Sequence, residues 1–441
     1  MNNASTKAGF YGWTVLGAFW VIMCFNLGFP AYGASVINTA MAASLGMNRE
    51  TLGMMGSAYF IMSGLPGPLV ALSVNRFGVR RTIMIGSALL ITGAVSMATW
   101  VHTGMGGVLG YGLLVGSGVA TGGALASQAG LAKWFVNRRA LVLSALYTAG
   151  SIGGFIAAPL LNRVIETSGG NWRLAWWLLA GLSACAAIVA LLFVKEKPED
   201  LGQLADGAHR ALPAGVSVAS VGAVAAAVRP RAAFVTRDEW GYKEALATPA
   251  YWMMLVPFIG DSAGYTLFLV HGISHLKDLG HPAAIGAYAI SVMTFTSLAV
   301  KAVIATLGDR IDPRYLWAAF CWFFGIGLVC LANAESHLMI VAAAMCIGVG
   351  FGGGIVAMTV TISNYYGTRS FASLAGLAVA INTSCGALAS WIAGRLYDHG
   401  LGYVHTFYFF AGWCLVGSLV LASVRRPQRR AAAASAVTAA G

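Results

Sequence analysis

NRFGVR, residues 75–80, and DRIDPR, residues 309–314, share one frame: an arginine, three positions, and a second arginine. Each stands between two apolar runs of membrane-spanning length. A spanning helix needs about 20 mostly apolar residues, so each hexapeptide reads as a tight basic turn at a membrane surface. Other segments repeat at nearly the same offset. GSGVATG (116–122) answers to GVGFGGG (348–354), and Trp134 with Arg138 answers to Tyr366 with Arg369. Each match is weak because glycine is abundant. Together they indicate that a unit of six helices has been duplicated.

Outward from these turns, the chain divides into twelve apolar runs: 13–37, 51–74, 82–101, 106–132, 140–162, 173–194, 250–274, 283–307, 315–334, 338–364, 372–397 and 403–424. The composition agrees. Of 441 residues, 58% are hydrophobic and only 10% are charged, against roughly 25% charged in soluble domains. The 56 glycines, many within apolar runs, suit membrane helices that approach closely. The expected fold is therefore an all-α polytopic membrane protein of twelve transmembrane helices in two pseudo-symmetric six-helix bundles. The net charge of +12 sits in short loops, where it orients helices rather than binding nucleic acid. The seven cysteines all lie in apolar runs with no C-x-x-C. That indicates neither a disulfide framework nor a metal site, and the thiols read as small packing residues. The first run is too long for the core of a cleaved signal segment and is expected to direct insertion itself.

Lysine and arginine set the orientation. With both termini cytoplasmic, 21 cations fall on the inner side and five on the outer side, with Lys301 left over at depth. Both ends are therefore expected inside. The expected units are an N-terminal bundle (1–194), a linker loop (195–248), a C-terminal bundle (249–424) and a tail (425–441). The loop reads as a mobile linker whose last part, EWGYKEALATP, forms a short helix on the membrane surface. The Ala-rich residues from 431 onward read as disordered. Trp13, Trp100, Trp134 and Trp172, near run ends, read as interface anchors.

Only two charges lie deep in the runs: Asp261 and Lys301. Lys301 lies eight residues before Asp309, about 12 Å from the inner surface. Each costs about 2.5–3.5 kcal/mol at a helix centre, so each should face the bundle interior or a water-filled cavity. Lys301 suits an anchor for an anionic substrate; the bland alternative is a lysine held by Asp261 or reaching to the interface. Asp261 suits a proton carrier, with a structural counter-ion as the alternative. Asn26, Tyr32, Gln128, Tyr147, Tyr265, Asn364 and Asn382 are polar residues at depth, each readable as an interhelical hydrogen bond instead. His271 and His275, one turn apart, read as an exposed mouth, with a metal pair or proton relay as the alternative. No H-E-x-x-H or P-loop is present, and neither enzyme chemistry nor a cofactor is expected.

Several segments resemble one family. LVALSVNRFGVRR (69–81) resembles a segment of the monocarboxylate transporters of the major facilitator superfamily, and AKWFVNRRALVLSALYTAGSIGG (132–154) resembles their signature entering the fifth helix. YGW (11–13), LGMNRE (45–50) and NWRLAWW (171–177) resemble the related bacterial oxalate–formate antiporter group. The resemblance spans the chain except 198–235 and the tail. It implies alternating access about a midplane site lined by helices 1, 4, 7 and 10. Tyr32, Gln128 and Tyr265 become substrate contacts, and Asn382 joins them from helix 11. Arg76, Arg80, Asp309, Arg310 and Arg314 become gating candidates where the two halves meet inside.

The chain also departs from the family pattern. Phe10 and Tyr11 stand where an acidic residue is usual, Ala31 where animal members have lysine, Lys301 where the family has arginine, and Ser297 in place of that arginine's acidic partner. Asn75 replaces the aspartate of the wider superfamily. Lysine keeps the charge but loses the fork that grips a carboxylate with two bonds. The oxalate-exchanging type carries a second cation in helix 11, where this chain has Asn382 at depth and Arg395 only near the outer mouth. One buried cation matches one carboxylate. The expectation is a secondary transporter of a small organic monocarboxylate with a proton, in a plasma (bacterial inner) membrane and as a monomer. An anion exchanger without a proton step is the alternative, and efflux of a hydrophobic compound is a third.

Overall fold

The computed structural model describes residues 10–135, 139–207, 236, 239–307, 311–367 and 370–427. Its long helices are α1 (Gly12–Ser44), α2 (Arg49–Gly64, continued by Gly67–Phe77), α3 (Val79–Thr99), α4 (Gly104–Trp134), α5 (Arg139–Thr167) and α6 (Trp172–Phe193). After the long connection come α7 (Pro249–Asp278), α8 (Ala283–Leu307), α9 (Pro313–Ala332), α10 (His337–Tyr366), α11 (Phe371–Asp398) and α12 (Gly402–Ser423). Eleven are long and apolar enough to cross a membrane singly, and α2 does so as a pair of helices bent by 44°. The described residues contain no strand.

Two of the helices that depart from the expected regular spans do so at a proline, while α4 widens to π turns over Val108–Val115 without one. Pro30 has no N–H to give, and its ring crowds the carbonyl one turn back. The helix absorbs this by widening to π turns over Cys24–Gly33 and then runs on to Ser44, past the expected end at residue 37. In α2 the break falls at Leu65 and Pro66. Elsewhere, glycine lets helix backbones touch. A Cβ on Gly86 of α3 would stand 2.1 Å from Gly122 N of α4, so that crossing exists only without side chains.

Both basic turns are held by the end of a later helix. Gly78 turns the chain with φ 86°, a conformation open to glycine. Beyond it, the N–H groups of Val79 and Arg80 donate to the Glu196 carboxylate at 2.9 Å each. Glu196 thus caps α3 where the helix dipole favours an anion, and Lys133 lies 3.7 Å from it. In the second half, Asp312 caps α9 through Arg314 N at 3.1 Å and pairs with Arg426 at 3.8 Å. Arg314 donates to the Val424 carbonyl.

One expectation for surface groups is corrected. Trp134 and Trp172 are buried, whereas Trp13 and Trp100 are exposed. Trp134 is drawn inward because its Nε1 donates to Lys195 O at 3.2 Å and Phe10 and Tyr11 pack on its ring. The connection after α6 ends in a single helical stretch, Tyr242–Leu246. The residues leading into it pack on the protein: Trp240 N donates to Tyr366 O at 3.2 Å and Thr236 N to Asn364 O at 2.8 Å. Most of the expected mobile linker and the Ala-rich tail lie outside the described residues, as do Arg138, Asp309, Arg310 and Arg369.

Candidate functional site

The first six helices and the last six meet on the face away from the chain ends. There, Asp398 at the end of α11 accepts from Arg49 N at 3.1 Å and Glu50 N at 2.7 Å. A carboxylate of one half thereby caps the N-terminus of α2 in the other, beside the cap from Asn48. Arg49 Nη2 reaches Asp278 at 2.8 Å, and Trp391 Nε1 donates to Glu50 at 3.1 Å. Deeper in, Ser57 donates to Ala387 O and Ser35 to Leu269 O. On the face carrying the termini, no ion pair among the described residues joins the halves. Arg76 lies over Phe77 at 5.4 Å, and Arg80 engages Glu196 of its own half.

The side of α8 that faces the other half can be followed along its length. Ser291 donates to Phe155 O of α5 at 2.7 Å, and a Cβ on Gly154 would stand 2.8 Å from Thr294 Cγ2. At helical spacing, Ser291, Thr294, Leu298 and Lys301 form one stripe. Its first part is buried against α5; at Lys301 it is only partly covered. Lys301 is half-buried, on the side of α8 whose outer part faces α5. Among the described residues its Nζ has neither an ion-pair nor a hydrogen-bond partner.

Asp261 is placed differently. It is 6% exposed, with Cys321 Sγ of α9 donating at 3.2 Å and Cys414 Sγ of α12 at 3.7 Å. Thiols are weak donors, so two of the cysteines serve as more than packing residues. The carboxylate borders a cavity of about 120 Å³ walled by Phe60, Phe258, Tyr265 and Phe351, with Ser262, Thr266, Asn382 and Thr383 as polar lining. Tyr265 stacks on Phe351 at 4.1 Å. Ser262 donates to Asn382 O at 2.9 Å, and Asn382 Oδ1 is buried without a partner.

Three of the expected site residues are therefore gathered: Asp261, Tyr265 and Asn382 share one cavity. Tyr32 meets Tyr265 hydroxyl to hydroxyl and so borders the same region. Lys301 and Gln128 do not line that cavity. Gln128 Nε2 donates to the Tyr147 hydroxyl at 2.6 Å. An Asp261–Lys301 ion pair, one of the two plain readings of the lysine, is not formed. Asn26 is structural, donating to Ser87 Oγ at 2.8 Å and Gly122 O at 3.2 Å. The two histidines are a correction: they are not an exposed mouth but are buried. His271 Nε2 engages Ser390 O at 2.9 Å and its Nδ1 the Tyr403 hydroxyl at 3.0 Å, while His275 Nε2 engages Leu331 O at 3.0 Å. Carbonyls and a phenol satisfy the buried rings, so a metal pair is not supported. Sequence reasoning missed Arg49, Asp278 and Asp398, which look like ordinary loop charges at helix ends.

The sequence model of the Major Facilitator Superfamily matches residues 14–294 and 263–439. Monocarboxylate transporter 4 of Rattus norvegicus is 24% identical over 94% of this chain and 83% of its own length. Monocarboxylate transporter 6 of Mus musculus is 25% identical over 94% and 86%. Among solved structures, a D-xylose-proton symporter superposes with a TM-score of 0.70 over 94% of this chain and 97% of its own, at 14% identity. The nucleoside transporter NupG superposes with a TM-score of 0.68 over 94% and 99%, at 13% identity. These relatives and neighbours are transporters, not enzymes. A multi-pass membrane chain of this architecture, matched along both halves, belongs to the Major Facilitator Superfamily as a secondary transporter, and its similarity within that superfamily is to the monocarboxylate transporters.

Proposed function

We propose that this protein carries a small organic monocarboxylate together with a proton across a plasma membrane by alternating access. Two six-helix units, 1–194 and 249–424, rock about a site between them. Both termini lie in the cytoplasm, as the excess of lysine and arginine on that side indicates. The closed face is then the outer one, and the site opens inward. One observation carries the reading: among the described residues Lys301, at membrane depth, has no partner, while Asp261 is buried and makes no ion pair with it. An unpartnered ammonium at that depth is a place for an anion. Lys301 holds the carboxylate, Tyr32, Tyr265 and Asn382 shape the path beside it, and Asp261 carries the proton. The names of the relatives support a monocarboxylate as cargo.

The test is uptake of a panel of labelled monocarboxylates into proteoliposomes with an acidic exterior. The proposal expects accumulation that follows the pH gradient and vanishes in Lys301→Gln. Exchange of internal for external anion with no response to the gradient would instead favour an antiporter.

A further inference from the structure

α5 and α8 run antiparallel and touch at Gly154 and Thr294. Moving seven residues from that contact towards the cytoplasmic face leads to Tyr147 on α5 and Lys301 on α8. Seven residues are nearly two turns and about 10.5 Å, so each side chain returns to the face that made the contact. Tyr147 and Lys301 are thereby placed at one level, on the facing sides of α5 and α8. Tyr147 is 44% exposed, as that placement requires.

The hydroxyl of Tyr147 is already oriented. Gln128 Nε2 donates to it at 2.6 Å, which occupies the oxygen as an acceptor and leaves the phenolic O–H to be given elsewhere. We infer that Tyr147 is a substrate-binding residue of the N-terminal half: its O–H donates to one carboxylate oxygen while Lys301 holds the other, and Gln128 positions the phenol. The inference rests on the reading of Lys301 as the anion anchor. It also answers what lysine lacks. An ammonium on a flexible stem is a point charge and cannot set the plane of a carboxylate. A fixed phenol on the facing helix supplies the missing direction. A carboxylate held this way bridges the two halves, so binding itself favours drawing the inner walls together.

The experiment measures uptake KM and maximal rate in proteoliposomes, using one labelled monocarboxylate that the wild type carries. The proteins are wild type, Tyr147→Phe, Gln128→Leu and Lys301→Gln. Tyr147→Phe is expected to raise KM about tenfold or more, the size of one hydrogen bond to a charged group, with the maximal rate within about twofold. Gln128→Leu is expected to raise KM by less. An unchanged KM in Tyr147→Phe, with Lys301→Gln inactive, overturns the inference and leaves the lysine reading standing. A lowered rate at unchanged KM assigns Tyr147 to the rocking movement and overturns it too. If Lys301→Gln transports like wild type, both readings fall. Where Tyr147→Phe gives no folded protein, Gln128→Leu decides by the same KM criterion.

Discussion

Asp261 and Lys301 belong to the same half of the molecule, and the fold treats the two charges in opposite ways. Asp261 is enclosed by α9, α10 and α12, with two thiols as its hydrogen-bond donors and a cavity of about 120 Å³ at its side. Lys301 has no partner among the described residues and is only half-buried. Burying a charge costs several kcal/mol unless something pairs with it. The two regions meet that cost differently. The enclosed carboxyl can be neutralised by a single proton, which needs no space. The lysine waits for a partner that must enter from water. A small exchangeable particle fits the first region and a molecular anion fits the second. In the proposed cycle, with no direct ion pair between them, coupling runs through movement of helices, not through competition for one contact.

That contrast can be broken by exchanging the roles of the two groups. Lys301→Gln has the largest expected effect. Losing this cation removes a charge-assisted bond and lowers uptake efficiency about 100-fold or more, measured as initial rates in proteoliposomes. Asp261→Asn comes next and separates the functions. Accumulation against a gradient at acidic exterior pH is expected to disappear, while exchange of labelled for unlabelled substrate stays within about threefold of wild type. Equal loss of both activities would contradict the division of labour. A smaller effect is expected on the closed face. Asp398→Asn weakens a cap on α2 worth about 1 kcal/mol, shifting the balance towards the outward-open form about fivefold. The readout is faster labelling of a cysteine introduced at Ser57, from the outer side. Arg49→Gln, which removes a partly exposed pair with Asp278, should change that rate about twofold or less.

Much of this arrangement is legible in the chain. Helix α8 occupies residues 283–307, the same limits that its apolar run indicates. Both charges at depth stand out because nothing else in their runs is charged. The basic turns are visible as a repeated frame, and a glycine with φ 86° explains Gly78 in the first. What the sequence conceals are pairings between distant segments. Asp398 caps a helix that begins 349 positions earlier, and no local pattern connects them. Glu196 looks like one acid in a charged loop until the fold brings it to the start of α3. His271 and Trp134 look like groups for water or membrane surface, and are buried because particular carbonyls accept their N–H groups. The widening of α1 at Pro30 is foreshadowed by the proline, but whether the helix kinks, breaks or widens depends on what packs around it.

The most direct test of the contrast is equilibrium binding of one transported, labelled monocarboxylate to purified protein at neutral pH, comparing wild type, Asp261→Asn and Lys301→Gln. The account predicts that Asp261→Asn binds within a few-fold of wild type and that Lys301→Gln loses binding. Binding by Lys301→Gln as tight as wild type would contradict it, because the anion would then be held elsewhere.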